Sequence, residues 1–227
     1  MVRQRKEGAF MKRKAVYIVV STVFVILLSC GLTFGILHYI RNKNIQETGN
    51  LLGVKWYNET DTEFTINTAD ELYEFAKLSN FYTFEGQTIY LGADIVINEG
   101  NASDWRENAP SRRWTPISGF AGYFDGQGHS ISGLYGKGYY TPMALFVKTE
   151  YSCVIQNLKL LNSYFETKGG NGSASFVSQG GAELYRLYSD AIINHKGIHC
   201  GGIVSIFDKQ SKIEECCFDG TITTTDR

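Results

Sequence analysis

"VIQNLKL" at residues 154–160, "ELYRLYS" at 183–189 and "KIEECCF" at 212–218 carry the fold of this chain, because they are one pattern written three times. Ile155 and Leu158, Leu184 and Leu187, and Ile213 and Cys216 are equivalent apolar pairs, each set 29 residues after the one before. Small or apolar segments interleave with them: "ALFV" at 144–147, "SFVS" at 175–178 and "GGIVS" at 201–205. A period of about 20 to 50 residues marks a unit that cannot bury its own apolar face and must stack on the next one. The 227 residues include 24 glycines, 14 tyrosines and three prolines, a composition of many tight turns and much strand. The expected fold is therefore mainly β, a β-solenoid.

Upstream of the repeats, "GYFDGQGHSISGL" at 122–134 is rich in glycine and contains an acid, so it invites a chemical reading. Phe120, Gly122 and Phe124 lead into Asp125-Gly126, and Ser130 to Leu134 lead out, the pattern of a hairpin or a sharp corner between strands. Asp125 is expected to accept local backbone N–H groups, with Gly126 and Gly128 supplying positive φ and His129 and Gly133 completing the turn. A phosphate loop needs Gly-x-x-x-x-Gly-Lys-Ser/Thr running into a helix; here the lysine is missing and the exit alternates like a strand. The stretch reads as a turn.

One helix is expected, at "TADELYEFAKLSN", residues 68–80. Thr68 and Glu71 have capping-box spacing, and Leu72, Phe75, Ala76 and Ser79 share a face at steps of three and four. The period then changes to two, giving strands at 88–91 and 94–97, and residues 98–113 are polar and loop-like.

With these segments in place, "WTPI" at 114–117, "FAGYFDGQGHSISGL" at 120–134, "ALF" at 144–146 and "IQNLKLLNS" at 155–163 resemble the GLUG-motif proteins of bacterial cell surfaces. "ADELYEFAKLSN" and "FEGQTIYLGADIVIN" resemble the segment that enters that motif. The resemblance covers residues 64–220 and is tightest from Trp114 to Leu134. Later, "SASFVSQ" stands where the motif has a glycine pair, and "CGGIVS" at 200–205 lies nearer to it. The resemblance implies a right-handed β-helix-like domain in large secreted or surface-anchored proteins, often adhesin-like and sometimes accompanying a protease. It implies no catalytic residue.

Residues 15–40, AVYIVVSTVFVILLSCGLTFGILHYI, contain no charged residue. As a helix they would extend roughly 39 Å, enough to cross a hydrocarbon core of about 30 Å. A buried core helix, a cleaved signal peptide and a lipoprotein site at Cys30 are the rival readings. The apolar stretch is too long for a signal peptide, and ten largely apolar residues follow the cysteine. Six Lys/Arg precede the span while only Arg41 and Lys43 follow it closely, which directs the N-terminus to the cytoplasm and the rest outside. The expected organisation is a basic tail at 1–14, a transmembrane helix at 15–40, a stalk at 41–63 and the solenoid domain at 64–227. The membrane is the first expected partner, and a net charge of −1 argues against nucleic acid.

Candidates for chemistry are few. His195 and His199 on a strand would stand about 13 Å apart, so a shared metal requires a turn at Lys196-Gly197. Cys153, Cys200, Cys216 and Cys217 form no Cys-x-x-Cys pattern and read as buried thiols rather than disulfides. Of Asp190, Asp208, Glu214, Glu215 and Asp219, only Asp190 and Asp219 share a point of the 29-residue period, so the acids are not gathered into one catalytic cluster. No catalytic, metal or cofactor site is expected. The leading function is an adhesin-like or structural surface domain; the alternative is a carbohydrate-active or protease-accessory enzyme. A glycan or protein ligand would meet exposed aromatics, for which Tyr123, Tyr135, Tyr139, Tyr140, Tyr185 and Tyr188 are the candidates. No capping segment follows "FDGTITTTDR", so the expectation is either self-association through an open solenoid end or a solenoid domain truncated at its C-terminus, part of a longer array whose remaining repeats are missing here.

Overall fold

The computed structural model describes Val54, residues 56–58 and residues 60–224, all within one unit of the chain, Gly49–Arg227. The expected tail at 1–14 and membrane span at 15–40 lie outside the described residues. Among the described residues, no helix is long and apolar enough to cross a membrane.

The chain winds into parallel coils. Strand β1 (Glu63–Ile66) is followed by helix α1 (Ala69–Leu78), then β2 (Thr88–Leu91) and β3 (Ile95–Val96). A 3-10 turn at Ala102–Asp104 precedes β4 (Tyr123–Asp125) and β5 (Ser130–Ser132). From there each coil has three sides: β6 (Tyr135–Tyr139), β7 (Phe146–Thr149) and β8 (Val154–Leu161), then β9 (Tyr164–Lys168), β10 (Val177–Gly180) and β11 (Glu183–Ser189). The last are β12 (Ile192–Lys196), β13 (Val204–Phe207), β14 (Lys212–Glu214), β15 (Cys217–Phe218) and β16 (Thr221–Thr224).

Three sheets form the sides, and every pairing is parallel. The first runs β1-β2-β4-β8-β11-β14, six rungs deep, with β3, β5 and β15 completing nine strands. The second is β13-β10-β7 and the third β16-β12-β9-β6. Identical register stacks like on like. Phe64, Ile89, Phe124, Ile155, Leu184 and Ile213 form one inward column, and Phe165, Ile193 and Ile222 another.

The spacing of three in the repeated pairs has a backbone cause. In a regular strand, positions i and i+3 face opposite ways, yet Ile155 and Leu158 are both buried, as are Leu184 and Leu187. Between them Asn157, Arg186 and Glu215 adopt left-handed φ values of 53°, 52° and 54°. One left-handed residue per rung re-aims the strand, so both flanking side chains enter the core. Such a φ is unfavourable for most non-glycine residues and mildest for Asn.

The capping box of α1 is present: Thr68 Oγ1 accepts from Glu71 N–H at 3.2 Å, and Glu71 Oε2 accepts from Thr68 N–H at 3.1 Å. Leu72, Phe75, Ala76 and Leu78 form its buried face, and Phe75 packs against Phe84, Phe120 and Phe124. The polar segment 98–113 is more ordered than its composition predicts. Asn98 clamps it by donating to the carbonyls of Arg112 and Gly133, and Trp105 buries its ring.

Candidate functional site

Of the hairpin and the sharp corner that the sequence leaves open at Asp125, the structure has the corner, and one expectation there is corrected. It is not a hairpin: β4 pairs with β2 and β8, and β5 pairs with β3 and β8, but not with each other. The corner lies on the column of left-handed residues, with Gln127 at φ 52° one coil before Asn157. The correction concerns Gly126, which is not among the positive-φ glycines, unlike Gly128 at 84° and Gly133 at 78°. Gly126 is required by close approach: a Cβ there would lie 2.5 Å from the Asn157 carbonyl oxygen and 2.8 Å from Leu158 Cβ.

Asp125 holds the corner closed. Its Oδ1 accepts from Gln127 N–H at 2.8 Å and Asn157 Nδ2 at 2.9 Å, and its Oδ2 accepts from Gln156 Nε2 at 2.8 Å. Partial burial pushes its pKa up, but these donors and the Arg186 guanidinium outweigh it and hold the carboxyl below its ordinary value. The contacts continue along the axis. Arg186 Nε donates to Asn157 Oδ1 at 2.6 Å, and Arg186 Nη1 lies 3.7 Å from Glu215 Oε2. Asp125, Asn157, Arg186 and Glu215 thus form a polar ladder across four rungs. It borders an open groove of about 550 Å³ that also takes in Lys159 and Tyr188. His129 stands at the far side of the corner, 3.5 Å from Asp94, which also accepts from Ser130 N–H.

The candidate tyrosines do not form one surface. Tyr135 is 6% exposed, stacked on Tyr164 at 5.8 Å and crossed by Trp105, so it belongs to a buried cluster. Its position in a polar-looking run hid this, because the cover comes from the remote segment at 102–105. Tyr139 and Tyr140 are 70% and 71% exposed and meet edge to face at 5.1 Å. Tyr185 lies half-buried under Lys212, whose Nζ is 5.2 Å from the ring centroid. Tyr188 lines the groove, its hydroxyl 3.5 Å from Asp219, and Tyr123 is half-buried.

His195 faces inward, 1% exposed, and neither ring nitrogen has a hydrogen-bond partner. Among the described residues no group of three His, Cys, Asp or Glu is placed to hold a metal. Cys153, Cys200, Cys216 and Cys217 are free thiols, and burial drives the Cys153 thiol far above its ordinary pKa, which leaves it unreactive.

No protein-family model matches this chain. No solved structure matches it either. Among characterised sequences, it is similar to halomucin of Haloquadratum walsbyi (strain DSM 16790 / HBSQ001), with 28% identity over 201 residues. The match takes in 81% of this chain and 2% of halomucin, so the chain spans a small fraction of the length of that relative.

Proposed function

We propose that this chain is a membrane-anchored extracellular β-solenoid of the GLUG-motif kind, a surface module whose work is structural and adhesive rather than catalytic. The observation that carries the reading is the stack of six parallel rungs in the first sheet, which turns a short repeat into a long face. The similarity to one small part of a far longer protein, halomucin, supports a modular role of this kind. The uncharged stretch at 15–40 and the six preceding Lys/Arg supply the anchor and its orientation, and the coil is right-handed by the general rule for parallel crossovers.

An enzymatic reading would need an acid tuned for proton transfer beside the groove. Asp125 is instead held ionised by fixed amide donors, a turn's arrangement. Protease added to intact cells tests the proposal: residues beyond about 45 should be lost while the basic tail survives. Survival of the repeat region in intact cells, with loss only after lysis, would refute an exterior location.

A further inference from the structure

The outer face of the third sheet carries a second concavity, which no sequence signal marks. Inward residues Phe165 and Ile193 fix the alternation, so β6, β9, β12 and β16 present three outward columns. The first, Tyr135, Tyr164 and Ile192, is roofed by Trp105 and Ala102. The second is Lys137, Glu166, Asn194 and Thr223; the third is Tyr139, Lys168 and Lys196. The roofing segment stops short of the second and third columns and leaves a cavity of about 280 Å³, with Arg106 and Glu107 on its wall.

The charges of this cavity do not cancel internally. Lys137, Lys168, Lys196 and Arg106 face two carboxylates, in a chain of net charge −1. Glu166 is already engaged: its Oε2 accepts from Tyr164 Oη at 2.8 Å and lies 3.2 Å from Lys137 Nζ. Asn194 Nδ2 donates to that same tyrosine oxygen at 2.9 Å, fixing the floor. Lys168 reaches Glu166 only at 4.0 Å, and among the described residues Lys196 and Arg106 make no ion pair. Three cations therefore face the cavity with little or no compensation.

Tyr139 stands in register with Lys168 and Lys196, so an exposed ring and two ammonium groups line up along the solenoid axis. Successive rungs are about 4.8 Å apart, comparable with the length of one pyranose unit. An aromatic face offers stacking to a sugar ring while the ammonium groups offer charge to its acidic substituents. We propose that this face binds a linear acidic polysaccharide, carrying carboxylate or sulfate, laid along Tyr139, Lys168 and Lys196 with its acidic groups directed into the cavity.

This rests on the surface-module reading and names its ligand class. The test is binding of the full chain, in non-ionic detergent, to polygalacturonate, dextran sulfate, neutral dextran and polyglutamate. Binding to polygalacturonate or to dextran sulfate, with neutral dextran silent, is expected, and whichever binds identifies the acidic group. Lys168→Gln with Lys196→Gln should weaken it on the order of tenfold. Tyr139→Ala should weaken it several-fold, and Lys148→Gln, on another sheet, should leave it unchanged. Equal binding to neutral dextran, no binding to either acidic polysaccharide, or insensitivity to the double lysine variant overturns the proposal. So does polyglutamate binding of equal strength that ignores Tyr139→Ala, which would identify an acidic protein partner. None of these results bears on exposure of the repeat region to protease at the cell exterior, so failure of the ligand and failure of the location are separable.

Discussion

The first coils and the later coils bury the same inward column with different materials. From β6 onward three sheets enclose the core, and the gap between them is filled mostly by Ile, Leu, Val and Ala with small polar residues such as Ser163, Ser175 and Ser178, beside the rings of Phe146, Phe165 and Phe176. Before β6 only the first sheet has strands; the rest of the wall is helix α1 and irregular chain. There the aliphatic core is joined by a group of rings in mutual contact: Phe75, Phe84, Phe120 and Phe124 interlock at ring-centroid distances such as 4.9 Å for Phe75 with Phe84. Regular coils bring three walls to a fixed separation that aliphatic residues and single rings fill, whereas irregular walls leave uneven space that a group of rings in mutual contact occupies. Burial also depends on neighbours rather than on residue type. Leu184 is fully buried between Ile155 and Ile213, yet Ile213, one rung on, is 46% exposed.

Removing the ring that joins the helix to the aromatic group should have the largest effect. Phe75→Ala is expected to destabilise the domain by roughly 3–5 kcal/mol, and Leu184→Ala in the regular half by roughly 2–5 kcal/mol. Ile213→Ala, in the same column, should cost less than about 1 kcal/mol because little apolar area leaves water there. Thermal melts of the three variants order them. If Ile213→Ala melts with Leu184→Ala, burial does not grade along the column in the way the exposures indicate.

Gly126→Val sharpens the comparison at the boundary between the halves. The Cβ would meet backbone atoms of the next coil, which move only if the rung moves, so a loss of about 1–3 kcal/mol is expected. Gly128→Ala tests a different cause at nearly the same place: nothing lies within 4 Å of its Cβ, and the cost comes from its φ of 84° alone. A Gly126→Val protein as stable as the wild type would show that the Asn157 rung yields, and the close-approach account would fail. Thr68→Ala, which removes the N-cap acceptor of α1, should cost about 1 kcal/mol, and Thr68→Ser should restore most of it. A silent Thr68→Ala would mean that packing of Phe75 alone holds the helix.

How much of this was legible in the sequence follows from the range of each contact. The capping box, the change to period two at Thr88 and the 29-residue repeat are local or periodic, and all three identify structure that is present. The Asp125 turn was legible because its acceptor geometry is set within two residues. The reason for Gly126 was not, since the obstructing carbonyl belongs to Asn157, a full coil away. The same limit misplaced Tyr135, whose cover is Trp105, and concealed the cavity beside Lys168 and Lys196, whose neighbours come into register only by stacking. Spacing of three in the repeat pairs gave the period correctly, but its cause, a left-handed residue at Asn157, Arg186 and Glu215, carries no sequence mark beyond the Asn.

The smallest effect should come from His195, in the regular half. It occupies an inward position beside Thr167, one rung away, and its two unpartnered nitrogens make charging it unfavourable. Burial lowers its pKa, and the nearby His199 lowers it further. The folded state thus binds the proton less readily than the unfolded chain does. The stability this provides is complete above the ordinary histidine pKa of about 6.5. It is lost as pH falls from there through the folded value, because the unfolded chain takes up a proton that the fold resists. His195→Leu keeps an apolar group of similar size in the core and abolishes that linkage. The wild type should therefore lose more melting temperature between pH 7.5 and pH 5 than His195→Leu does, while both retain the acid loss below about pH 4 as Asp125 protonates. Parallel curves for the two proteins over the upper range would show that His195 finds a partner when charged, and that the interior of this coil is wetter than its burial implies.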